Sequence, residues 1–305
     1  MDTNIFSKCM LLVLETHSAG GDRKVRKDKL EVRKNDGESD PDAKSWAATK
    51  RIFGASMAYK AISTLDHQAK ARLAKLEIPA QFQRGTFAIP TKFVAQAQEI
   101  VDEYVAERSK LVDAFCDEYS TVVGEQQVVL GPLFDITDYP PPDSIRKRFG
   151  VGCKWLSLGV PEQLAEVSQD LYDKQIVAQS KALQDTMDEV RDGLRMGLRG
   201  LIDHLLNRLS TKNEKGQVVR LHESAVTNII EFLDMLPAKN ITGDTDIQLL
   251  AEKARAIVTA TDVSGLKTDG FSRAIVEKRL GQIVTELDKM VEAAPLRRMG
   301  GFEIE

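Results

Sequence analysis

The sequence is poor in the residues that build disulfide scaffolds, β-sandwiches and membrane spans. Its three cysteines, Cys9, Cys116 and Cys153, are odd in number and far apart, which gives no disulfide framework and suits small core residues in a reducing compartment. Aromatic residues make up 6% of the chain and prolines number 10, too few for an all-β fold of this length. The longest strongly apolar run, Cys9-Met-Leu-Leu-Val-Leu14, falls far short of the roughly 20 residues that cross a bilayer. No cleavage site of small residues follows it, so the expected location is the cytoplasm.

Catalytic patterns are also missing. None of the histidines, His17, His67, His204 and His222, forms a His-x-x-x-His pair or joins a Cys/His cluster, and zinc needs such spacing. Asp203 and His204 could orient a base, but neighbours on a helix point about 100° apart and no Ser or Cys nucleophile stands beside them. Gly150-Val-Gly152 lacks the third glycine and the helix start of a dinucleotide site, and no Gly-x-x-x-x-Gly-Lys-Ser/Thr occurs. The carboxylates Asp102, Glu103, Glu107, Asp170, Asp173, Asp185, Asp188 and Glu189 alternate with apolar markers; that is a solvated helix face, not a di-iron box. The reading is a protein with no catalytic, cofactor or metal residues.

What the chain does have is 42% hydrophobic and 29% charged residues, with a formal net charge of −4. This balance favours long amphipathic helices and offers phosphate no global attraction. Residues 5–16 read as a strand covered on both faces, and 150–159, centred on 152–158, as a second strand able to pair with 9–15. Asp42 is placed to cap a helix running to about Leu76 through Trp46, Phe53 and Met57. After Gly85-Thr-Phe-Ala-Ile-Pro90 an apolar seam runs from Phe93 to Val122 at spacings of three and four, interrupted by a single charge, Arg108, and ended by Gly124.

Pro161 opens the longest helical stretch, to about Leu209, which unbroken would span on the order of 70 Å. Its stripe needs a partner, and 91–123 is the expected antiparallel one. Helices at about 221–236, 245–260 and 269–293 complete the pattern, the first ended by Pro237. The expected fold is mainly α: long antiparallel, coiled-coil-like helices with a small β element and a C-terminal helical bundle. The expected division is 1–40 (strand and charged loop), 42–210 (long-helix body), 217–295 (bundle) and 296–305 (flexible tail).

Three features are candidates for interaction. Basic runs at Arg23, Lys24, Arg26 and Lys27 and at Arg146, Lys147 and Arg148 could contact phosphate or a partner. Gly193, Gly197 and Gly200 allow close helix approach, a hinge or a subunit contact. Phe302 and Ile304, beyond Gly300-Gly301, could form a capturable tail peptide. Residues 91–123 hold seven acids against three bases, so any nucleic-acid contact is expected near the strands and not along that helix.

The N-terminal apolar strand with its Gly-Gly and basic run, Gly85-Thr-Phe-Ala-Ile-Pro90, Tyr139-Pro-Pro-Pro-Asp-Ser-Ile-Arg-Lys-Arg-Phe149 and Leu236-Pro-Ala-Lys-Asn-Ile-Thr-Gly-Asp244 together resemble a family of tailed-phage and mobile-element proteins, domain of unknown function 3150. The likeness spans most of the chain and departs most at Asn35–Asp42, which is shorter and more acidic. The resemblance implies a phage or mobile-element origin, hence the host cytoplasm. It also implies an interaction role, with a AAA+ ATPase as a candidate partner, and no catalytic residues to carry over. The expectation is a non-enzymatic, oligomeric interaction or scaffold protein without membrane contact, whose partner is itself or a phage or host protein. The alternative is a nucleic-acid-binding accessory factor using the two basic runs.

Overall fold

The structure is a computed structural model that describes residues 8–26, 47–80, 85–157, 159–210, 223–260 and 270–291. Asp42, Lys27 and the tail residues Phe302 and Ile304 lie outside them. The fold is mainly helical with small sheets, as the sequence implies. No described helix is long and apolar enough to cross a membrane.

Two compact units interleave along the chain: unit 1 comprises Met1–Leu12, Leu73–Ala97 and Trp155–Glu305, and unit 2 comprises Val13–Arg72 and Gln98–Lys154. This differs from the expected division into consecutive segments. The strand β1 (Cys9–His17) is the middle of a three-stranded sheet, between β4 (Thr86–Pro90) and β5 (Gly150–Leu156). Cys9, Leu12 and Leu14 are buried, whereas the polar end of the strand emerges at Glu15 and His17. The strands β2 (Asp22–Lys24) and β3 (Thr49–Arg51) pair antiparallel, with Arg23 opposite Lys50.

In unit 2 the helix α1 (Met57–Leu76) does not begin near Asp42. Residues 49–51 are strand, the fully buried Ile52 and Phe53 anchor a turn, and Ser56 caps the helix by accepting from the Tyr59 N–H at 3.0 Å. Apolar spacing alone read through this turn, because Phe53 and Met57 also fit a helical period. The helix α2 (Val94–Leu130) likewise passes the expected stop at Gly124. A lone glycine costs a helix only about 1 kcal/mol; the real terminator is Gly131, at φ +49°, followed by Pro132. The core of this unit is aromatic. Phe53, Tyr59, Phe115, Tyr119 and Phe149 meet with ring centroids 4.9–6.5 Å apart, so the scarce aromatic residues are concentrated in one place.

In unit 1 the expected helix from Pro161 divides into α4 (Gln163–Val167) and α5 (Gln169–Ser210), with Ser168 in extended backbone between them. The short α3 (Pro142–Ile145) belongs to unit 2. The expected antiparallel pairing of 91–123 with 161–209 is corrected: α5 packs on α6 (Glu223–Lys239), α7 (Thr245–Thr259) and α8 (Gly270–Met290). Their shared core includes Leu194, Leu198, Ile229, Leu250 and Leu280. The buried face of α2 at Val112, Phe115, Tyr119 and Val122 is instead filled by Ile52, Phe53, Ile62, Tyr139 and Ile145. Periodicity shows that each stripe needs a cover but not which one, and three shorter helices cover α5. Helix α6 also continues through Pro237 to Lys239, where the lost N–H removes one bond in the last turn only.

Candidate functional site

The sequence motifs account first for architecture. Gly85, at φ +80°, turns the chain into β4, whose Ala88 and Ile89 are fully buried. In the Pro-rich segment the Tyr119 hydroxyl donates to Pro140 O at 2.7 Å, and Ile145 and Phe149 enter or pack on the aromatic core. The segment ending at Asp244 builds the corner between α6 and α7. Asn240 Oδ1 accepts from the Asp244 N–H at 2.9 Å, Gly243 takes φ +70°, and Asp244 Oδ1 caps α7. Its Oδ2 receives Arg195 of α5 at 2.8 Å, while Arg195 also donates to Met290 O at 2.9 Å. Four elements are thus tied at one corner.

Two of the three glycines singled out on α5 are close-packing positions. A Cβ at Gly193 would come within 2.9 Å of Pro79, and one at Gly197 within 3.1 Å of Phe232. Gly200 is half-buried.

Both basic runs, as far as they are described, belong to unit 2. Arg23 of β2 and Arg148 both act electrostatically on Tyr119, whose hydroxyl burial nonetheless holds above its ordinary range. Several of these charges are already engaged: Arg26 pairs with Asp135 at 2.9 Å, Arg146 with Asp113, and Arg23 donates to Gly20 O and Asp22 O. Lys24, Lys147 and Arg148 are exposed and have no carboxylate partner among the described residues. Lys27 and the rest of the first run, to Lys34, lie outside the described residues.

No reactive thiol accompanies them. Burial pushes Cys9 up to about 12, and Cys116 and Cys153 are also raised chiefly by burial, which opposes thiolate formation. Among the described residues no His, Cys, Asp and Glu cluster could hold a metal.

The feature that fold does not explain is the first half of α5. All of its buried residues lie between Met187 and Leu209. Before them the stripe is only half-buried at Tyr172, Gln179 and Leu183 and 41% exposed at Ile176, while Leu171 and Val177, on other faces, are 41% and 70% exposed. Residues 159–164 fold back along one side, leaving a cleft of about 600 Å³ whose walls include Val160, Leu164, Leu171, Ala178 and Ala182. Pairs at i,i+4, Lys174 with Asp170 and Gln169 with Asp173, support the helix on its solvent side.

Sequence reading found Leu171, Ala178 and Leu183 as markers of a stripe but missed Tyr172 and Ile176. The available signal was the 4-3-4 spacing Tyr172, Ile176, Gln179, Leu183, which polar Gln179 obscures.

A family model described as protein of unknown function (DUF3150) matches residues 6–248. No curated protein and no solved structure matches the chain. With four-fifths of its length in that match, the chain belongs to the DUF3150 family.

Proposed function

We propose that this chain is a non-enzymatic interaction or scaffold protein of a phage or mobile element, and that it docks a protein partner on the outer half of α5. The carrying observation is the contrast within one helix: its stripe is fully buried from Met187 onward and only half-buried or exposed before it. An amphipathic helix left without its cover presents apolar anchors at i, i+3, i+4 and i+7, the usual form of a helical docking element. A AAA+ ATPase is the foreign partner that the family resemblance suggests. Affinity purification from the native host, with the mass of the recovered assembly measured, tests the reading. Ile176→Lys combined with Leu183→Lys is expected to release the partner from an otherwise folded chain; equal recovery by wild type and variant would overturn it.

A second reading, a nucleic-acid-binding accessory factor, draws support from the place of both basic runs in unit 2 and from Lys24 and Lys147, exposed and without a carboxylate partner among the described residues. Phosphate contacts by such residues release counterions, so binding should fall steeply with salt. A mobility shift at low salt that Lys147→Glu with Arg148→Glu abolishes is the expected result, and no shift at low salt overturns it. The first reading is the stronger, because the basic residues lie among carboxylates that already engage Arg26 and Arg146.

A further inference from the structure

No further inference is drawn: the strongest candidate, the exposed apolar patch of unit 2 at the end of α2 formed by Val128, Val129 and Ile136, is an unpartnered face, and nothing in the structure shows what covers it.

Discussion

Arg108 Nε on α2 donates to Asp66 Oδ1 on α1 at 2.8 Å, with the guanidinium 3% exposed. The same carboxylate oxygen accepts from the Tyr104 hydroxyl at 2.7 Å. The remaining guanidinium donors reach His17 O at 2.9 Å, Ser18 Oγ at 3.0 Å and Gly150 O at 3.5 Å. The charge that interrupts an apolar seam is therefore a buried clamp within unit 2. Removing one member of a buried, hydrogen-bonded pair typically costs about 3–5 kcal/mol, because the other is left unpaired. Arg108→Met should destabilise the protein on that scale in denaturant unfolding, and Arg108→Lys should recover only part, since one ammonium cannot serve so many acceptors. A loss under about 1 kcal/mol for Arg108→Met, within the range of ordinary surface changes, would show that the clamp contributes little.

The corner at Asp244 has two duties, one oxygen capping α7 and the other pairing with Arg195. Loss of a cap costs about 0.5–2 kcal/mol, and the stranded Arg195, 13% exposed at its side chain, adds to it. Asp244→Asn keeps a capping oxygen but loses the charge pair. The expected order of stability is wild type, then Asp244→Asn, then Asp244→Ala. Thermal melts that place Asn and Ala together would assign the whole effect to the charge pair.

Glycines on the two long helices should respond oppositely to alanine. At Gly193 the new methyl meets Pro79, including its backbone oxygen at 3.1 Å, so Gly193→Ala should cost about 1–3 kcal/mol through overpacking. At Gly124 a Cβ meets nothing within 4 Å, and Gly124→Ala should stabilise by about 0.5–1 kcal/mol through helix propensity. Urea midpoints of the two variants measure both. If both were destabilised, the space at Gly124 would have to be occupied by something outside the described residues.

Stability should depend on pH through Glu77, which follows α1. Burial raises its carboxyl from 4.5 to about 7, with Lys239 partly opposing; burial lowers Lys239 from 10.5 to about 8. The folded state therefore holds the Glu77 proton more tightly than the unfolded state does. Between about pH 4.5 and pH 7 raising the pH removes stability. Above about pH 8 Lys239 acts the other way, since the unfolded chain then binds more protons and further rise favours folding. Relative to Glu77→Gln, wild type should lose stability across the first window; parallel stability curves from pH 4 to 7 would refute it.

The sequence by itself determined the helical class, the pairing of the 9–15 strand with the 152–158 strand and the absence of known catalytic spacings, because apolar periodicity and ligand spacing are local properties of the chain. It marked Arg108 as an anomaly and the Tyr139–Phe149 and Leu236–Asp244 segments as distinctive, but not their roles. Only the tertiary structure decided that Ser56 and not Asp42 starts α1, that α5 is covered by α6, α7 and α8, and that Arg108 closes on Asp66 and His17. These are contacts between residues far apart in sequence, and a stripe at helical spacing carries no label for its partner. The same reason hid the outer half of the α5 stripe: Tyr172 and Ile176 resemble core residues on a helical wheel, and only the packing shows that the core stops at Met187.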